Sequence, residues 1–353
     1  MGKKRAINWI LIGVLAFIVY IFAASAPIGS ETVIVPAWLR LLSTSKVKEG
    51  SLEPLIPFSL GQEFGYFDAA GDFSVLRSST QRFTISDFAW SEYAAIPEFI
   101  EAKTNRGELL LRSTERGYPF LADSRVFILS SEQNSIISLD SNGKSLWRRD
   151  FPSTITCADA AAGLLLVGLL DGSIELIDTR GNAVFTFEPG GSRLPVIVAA
   201  RLSSDAQHIA LVSGIDPQRF LLLDRSGSSY KVAYHEFLEK GFRRPVLAAF
   251  LDGDDTLVFE TDGGLGVLRR GDKKSYFVPL LGEIRCIENE AKDGRLFLIL
   301  ARDGKRELVG LRLPNQVFMR APYTSDEDFL ERRENRLYLG GGDALVALDI
   351  KTR

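Results

Sequence analysis

The feature that most constrains this chain is a unit that repeats: apolar strands joined by tight turns, with no helix to cover them. Leu164–Pro195 shows it most plainly. Leu164–Leu169 is an apolar run, and Asp171-Gly172 is a turn signal. Ser173–Asp178 alternates apolar and polar residues, Arg180-Gly181-Asn182 turns the chain again, and Ala183–Glu188 is a third strand. Thr154–Ala158, introduced by Pro152, adds a short strand in front. A small sheet of this kind leaves both faces bare, so it needs neighbours like itself.

The chain repeats the pattern. Strand–turn–strand pairs begin at Val126, Ile209, Leu257, Leu296 and Leu337, and a degenerate copy, FGYFDAAGDFSVLRS, begins at Phe64. That makes about seven copies at spacings of roughly 37–62 residues, most near 40–45, the period of a four-stranded propeller blade. Pro57, Pro119, Pro152, Pro195, Pro245, Pro279 and Pro322 recur where a fourth strand should hand over to the next blade. Proline donates no ladder hydrogen bond, and the start of a strand tolerates it. The expectation is an all-β, seven-bladed propeller of four-stranded antiparallel blades.

Three phrases, LLLVGLLDGSIELIDTRGNAVF, VFILSSEQNSIISLDSNGKSLW and LYLGGGDALVALDIKT, resemble the PQQ-like and WD40-like repeats of bacterial β-propellers. Leu139-Asp140, Ile177-Asp178, Leu223-Asp224 and Leu348-Asp349 carry the recurring Leu-Asp step, and Trp147 stands in the PQQ-repeat tryptophan position. The resemblance covers most of residues 55–353. It implies a fold rather than an activity, since propellers host many functions. The functional analogue it suggests is the envelope propeller that assists outer-membrane protein assembly.

Lys3, Lys4 and Arg5 precede an apolar run from Ile7 to Ala26, interrupted by Asn8 and Ser25. That length spans a bilayer as a helix, with the basic end inside. Residues 1–6 are therefore expected as a cytoplasmic tail and 7–27 as a transmembrane anchor. A cleaved signal peptide using Ala24-Ser25-Ala26 is the alternative. The expected location is the inner membrane, single-pass, with the propeller on the periplasmic side and the membrane held through 7–27. Residues 28–51 read as a juxtamembrane linker. Within it, 35–42 is either an interfacial amphipathic helix, with Trp38 at the headgroups, or a loosely packed connector. The propeller then fills 52–353. The last repeat has room for three strands only, so a strand from about 51–56 is expected to close the final blade.

Two stretches exceed the repeat. Residues 89–117 read as an insertion, and 230–244 as a strand running into a short helix or loop. Insertions land on propeller faces and often bind. Trp90, Tyr93, Tyr234, Phe237, Phe242, Arg243 and Arg244 are the aromatic and arginine residues there that suit a protein interface. Taken singly, each more often covers the blade edge beneath it.

Net charge is −3 and there is no basic stripe, which argues against nucleic acid. His208 and His235 have no second ligand at metal spacing. Asp252–Asp255 lacks the full spacing of a calcium loop, and both it and Asp326–Asp328 read as solvated turns. Gly340–Gly342 lies between strands rather than before a helix, so it is not a phosphate loop. No Gly-x-Ser-x-Gly elbow occurs. Cys157 and Cys286 fall in first strands about three repeats apart, too far for a disulfide. No catalytic, cofactor or metal residue is assigned, and no cofactor is expected. The expectation is a tethered protein-interaction scaffold with an envelope protein partner. The alternatives are a ligand-binding or enzymatic propeller, if Asp171, Asp216, Asp262 and Asp303 converge on its channel, and a sensory ectodomain.

Overall fold

The computed structural model describes residues 32–48, 50 and 54–352, together with Gly13, Val14, Phe17 and Tyr20. Among them, 31 strands form eight antiparallel sheets. β1 (Thr32–Leu41) belongs to the last sheet. Blade one holds β2 (Ile56–Leu60), β3 (Glu63–Phe67) and β4 (Phe73–Ser78). Blade two holds β5 (Arg82–Ile85), β6 (Ala89–Tyr93), β7 (Ile100–Thr104) and β8 (Leu109–Ser113). Blade three runs through β9 (Tyr118–Ala122), β10 (Arg125–Leu129), β11 (Ser135–Leu139) and β12 (Ser145–Asp150). Blade four is β13 (Ile155–Ala161), β14 (Leu164–Leu169), β15 (Ile174–Ile177) and β16 (Ala183–Phe187). Blade five is β17 (Ile197–Leu202), β18 (His208–Ser213), β19 (Arg219–Ser226) and β20 (Ser229–Phe237). Blade six is β21 (Ala248–Leu251), β22 (Thr256–Thr261), β23 (Gly264–Arg269) and β24 (Tyr276–Pro279). Blade seven is β25 (Glu283–Ile287), β26 (Arg295–Arg302), β27 (Lys305–Arg312) and β28 (Gln316–Tyr323). Blade eight is β29 (Phe329–Arg333), β30 (Arg336–Gly341) and β31 (Ala344–Thr352), completed by β1.

The ring follows from burial. The middle strands are apolar on both faces, as in Leu165, Leu166 and Val167 of β14 and Leu296–Leu300 of β26. Each blade must therefore be covered twice. Eight hydrophobic clusters do this, one at each seam. Phe220 of blade five, for example, stacks on Phe259 of blade six at 3.9 Å. Phe58 and Phe67 of blade one meet Phe329 and Tyr338 of blade eight, which shuts the circle.

The blade number corrects the expectation of seven. Residues 89–117, read as an insertion, are most of blade two. Its third-to-fourth turn explains why it escaped notice. In blades three and four, Asp140 Oδ1 accepts hydrogen bonds from Asn142 N (2.9 Å) and Lys144 N (2.8 Å), and Asp178 Oδ1 from Arg180 N (2.8 Å) and Asn182 N (2.9 Å). In blade two, Thr104 Oγ1 accepts the equivalent bonds from Arg106 N (3.3 Å) and Glu108 N (3.2 Å). A hydroxyl thus replaces the marker carboxylate. No proline marks the handover into β5 either.

The same turn places blade one. Asp68 Oδ1 accepts from Ala70 N and Asp72 N, each at 3.0 Å, so β3 and β4 are third and fourth strands. The copy beginning at Phe64 is therefore one strand out of phase with the others. β2 is a second strand standing in the inner ring beside β29 and β5. Among the described residues no strand lies inside it.

Closure comes from an unexpected stretch. β1 pairs with β31 from Thr32↔Thr352 to Leu41↔Ala344, with a bulge between Pro36 and Trp38. Residues 35–42, read as an interfacial helix or loose connector, are thus the closing strand, and 51–56 is not. β1 then clasps blade one. Trp38 Nε1 donates to Ala69 O (3.0 Å), and Arg40 Nε and Nη2 donate to Gly71 O (3.3 Å) and Ala70 O (3.1 Å). Val47 bridges Phe73, and Lys48 pairs with Asp72 at 2.6 Å. Trp147 repeats the tryptophan contact at the blade three–four seam, donating to Thr179 O at 3.0 Å. Gly181 lies beneath that ring at φ 86°, where a Cβ would come within 2.8 Å of the indole.

The anchor expected over 7–27 lies, but for Gly13, Val14, Phe17 and Tyr20, outside the described residues. Among the described residues no helix is long and apolar enough to cross a membrane. The single-pass anchor, the tether to the inner membrane and the periplasmic placement are corrected accordingly.

Candidate functional site

In an antiparallel four-stranded blade, the first-to-second and third-to-fourth turns share one end. The second-to-third turns and the blade-to-blade connectors share the other. We call these ends the turn face and the connector face.

At the turn face, successive blades are linked by hydrogen bonds. Gly163 N donates to Asp123 Oδ2 (2.8 Å), Leu202 N to Asp159 Oδ2 (2.8 Å), Ser204 N to Asp254 Oδ2 (2.8 Å) and Asp252 N to Glu290 O (2.9 Å). The series ends in a buried polar knot between blades seven and eight. Arg332 of β29 is fully buried. Its guanidinium donates to Glu288 Oε1 (3.1 Å), Arg295 O (2.7 Å), Lys292 O (3.1 Å) and Glu334 O (2.8 Å). Glu288 also accepts from Glu290 N (2.7 Å) and Ala291 N (3.1 Å). Burial pushes its carboxyl up against the pull of those partners. Beside it, burial pushes Glu331 up to about 7, with Glu288 and Glu290 adding to the rise and Arg333 opposing it.

The connector face carries the opposite kind of feature. Where blades four, five and six meet, the inner strands β13, β17 and β21 begin beside a recess of about 500 Å³. Its walls are mostly apolar: Ile155, Leu170, Leu194, Pro195, Ile197, Ile215 and Pro245, with Gln133, Thr154 and Thr156 among them. Leu170 and Leu194 are 52% and 51% exposed. Leu170 sits in the turn before Asp171, and Leu194 in the connector that enters β17. Both positions are fixed by backbone bonds, Leu170 N to Thr154 O (2.8 Å) and Ile215 N to Leu194 O (3.1 Å). Arg243 and Arg244 line the recess from the connector between blades five and six. A second groove, of about 310 Å³, lies beyond that connector. Phe237, Phe259 and Phe277 line it with Glu236, Glu239 and the Lys240–Asp262 pair (2.9 Å).

The structure disperses the residues singled out from sequence. Trp90 is buried in the blade one–two seam, its ring 5.3 Å from Phe64, so it is core. Tyr93 is half-buried on β6, 6.2 Å from Tyr118, and burial raises its hydroxyl. Tyr234 lies on the outer strand β20, accepting from Ser275 N (3.1 Å) and donating to Glu236 Oε2 (2.8 Å). Phe237 is exposed at the end of β20. Phe242 is half-buried, its N–H held by Gln218 Oε1 (3.1 Å). Arg244 forms a two-pronged pair with the buried Glu260 (3.0 and 2.5 Å), which holds its guanidinium above the ordinary range. Arg243 is exposed and has no hydrogen-bond or ion-pair partner among the described residues. Phe237, Phe242, Arg243 and Arg244 therefore share the connector face, whereas Trp90 and Tyr93 lie in blade two. Leu170, Leu194 and Ile215 were not legible as site residues. The one signal was an additional leucine in the turn after Leu169.

The four aspartates weighed for the channel are each engaged locally. Asp171 caps Ser173 N (2.9 Å), Asp216 pairs with Arg193, Asp262 with Lys240, and Asp303 with Arg302 (3.3 Å). His208 Nδ1 lies 2.7 Å from Asp224 Oδ1, and its Nε2 lies 2.9 Å from Arg270 Nη1. Cys157 and Cys286 are free thiols in β13 and β25, both pushed up to about 11 by burial. Among the described residues no group of three or more His, Cys, Asp or Glu is placed to hold a metal ion.

Comparison with known proteins agrees with the architecture. BamB from Moraxella catarrhalis superposes with a TM-score of 0.65 at 16% identity, covering 90% of this chain and 98% of that one. The computationally designed Ika8 protein gives 0.59 at 15% identity, covering 86% and 98%. The Cps50 (Swd1) β-propeller domain of Myceliophteria thermophila gives 0.52 at 9% identity, covering 84% and 100%. These likenesses concern the fold alone. A Treponema pallidum (strain Nichols) protein described as uncharacterized is 28% identical over 292 residues, 80% of this chain and 78% of its own length. The family described as beta-propeller protein matches residues 1–353, and the chain belongs to it.

Proposed function

We propose that this propeller is a protein-binding platform with no catalysis of its own, docking its partner at the connector face over blades four to six. The recess carries the reading. Leu170 and Leu194 are half bare within one recess, and contiguous apolar surface rimmed by polar groups marks an interaction site. Rigid elements position it, since Ile155 and Ile197 begin inner strands, Leu170 is bonded to Thr154 and Ile215 to Leu194. Arginine and aromatic side chains beside an apolar centre are the residues that anchor protein interfaces.

The test is a photo-crosslinker at Leu194 of the full-length protein in its native host, with one at Leu146 on the outer strand β12 as control. The expected result is one partner captured at Leu194 alone. That partner, once purified, should bind the wild-type chain and lose at least tenfold in affinity with Leu194→Asp. A partner that binds both forms equally would overturn the reading.

A further inference from the structure

We infer that the connector-face recess takes a peptide segment carrying a large apolar side chain with a carboxylate one or two residues away. This rests on the platform reading above and adds the chemistry of the partner.

The apolar half comes from the walls. Ile155, Ile215, Leu170 and Leu194 line an open recess of about 500 Å³, room for one or two large side chains. The acidic half comes from the charges around the recess. Arg244 is already held by both oxygens of Glu260, and Arg193, next to Leu194 in the same connector, by Asp216. Each is neutralised where it stands. Arg243 is the exception: it lines the recess, is exposed, and has no partner among the described residues. The recess is therefore apolar with one unanswered positive charge. A guanidinium beside a dry surface favours a carboxylate, which it binds with two parallel hydrogen bonds. The neighbouring groove gives the contrast. There Glu236, Glu239 and Asp262 surround the single Lys240, so an acidic segment is repelled from that side.

The probe is a phage-displayed random octapeptide library selected on the full-length protein. The best sequences are then made as synthetic peptides and read by fluorescence polarisation. The expected result is enrichment of Leu, Ile, Met or Phe next to Asp or Glu. Binding should fall at least tenfold with Leu194→Asp and with Arg243→Glu, and Arg243→Glu should select peptides with Lys or Arg in the acidic position. Each variant is first shown to melt at the wild-type temperature. If Leu194→Asp abolishes binding and Arg243→Glu leaves both affinity and selection unchanged, the recess docks peptides but the charge inference is overturned. If neither Leu170→Asp nor Leu194→Asp weakens any selected peptide, or none is selected above the Leu194→Asp background, the platform reading falls with it.

Discussion

The knot between blades seven and eight and the recess over blades four to six invert each other. In one, the charges Arg332 and Glu288 lie in the dry interior. In the other, Leu170 and Leu194 lie half in water. Both arrangements cost free energy in isolation, but only the knot is internally repaid: four guanidinium donors and both Glu288 oxygens find partners. Nothing in the fold compensates the exposed leucines. A buried and satisfied polar group is a device of architecture, whereas exposed apolar side chains gathered in one recess point outside the molecule.

Breaking the knot should have the largest effect. Arg332→Ala strands a buried Glu288 carboxylate and should destabilise the protein by about 3–5 kcal/mol, read in urea unfolding. If the loss is below about 1 kcal/mol, the knot is not structural. Gly181→Ala comes next. It puts a Cβ against the Trp147 ring at a positive φ, and should cost about 1–3 kcal/mol in the same assay.

The knot also predicts a pH dependence. Glu331 has an ordinary value of 4.5 and is pushed up to about 7 in the folded protein. The folded state therefore holds its proton more tightly than the unfolded one. Its stabilising contribution is complete below about pH 4.5 and is lost as pH rises through 7. The melting temperature should fall between pH 5 and pH 8, and Glu331→Gln should flatten part of that slope. An unchanged slope would mean that other groups set it. The smallest effect on stability belongs to the recess. Leu194→Asp and Leu170→Asp should each change unfolding free energy by less than about 0.5 kcal/mol while removing partner binding. A large destabilisation would place these leucines with the architecture and erase the contrast.

The repeated strand pairs were legible because their apolar runs and turn residues are local. Asp140, Asp178, Gly143 and Gly181 specify their turns whatever surrounds them. Blade two was obscured by a substitution of equivalent chemistry, Thr104 for aspartate, and by strands such as Arg82–Ile85 that alternate rather than run apolar. β1 was obscured for a different reason. Its PAWLRLL stretch is compatible with a helix taken alone, and only the ladder with Ala344–Thr352 makes it a strand. The site was half legible. Arg243 and Arg244 stand out by residue type, but the leucines that line the recess with them come from a blade-four turn and the connector between blades four and five, and no spacing along the chain brings these together.

The ladder of β1 on β31 also sets an order of events in folding. Thr32 and Thr352 are roughly 300 residues apart in the chain, and joining such distant points costs about 5 kcal/mol of chain entropy on a loop-closure estimate. Seven blades are each local hairpins able to form as they leave the ribosome. The eighth waits for β31 to be made and to find β1, which must stay unpaired until then. Pro36, unable to donate to a neighbouring ladder, and Arg40 are suited to that interval, since both discourage a waiting edge from pairing with another chain.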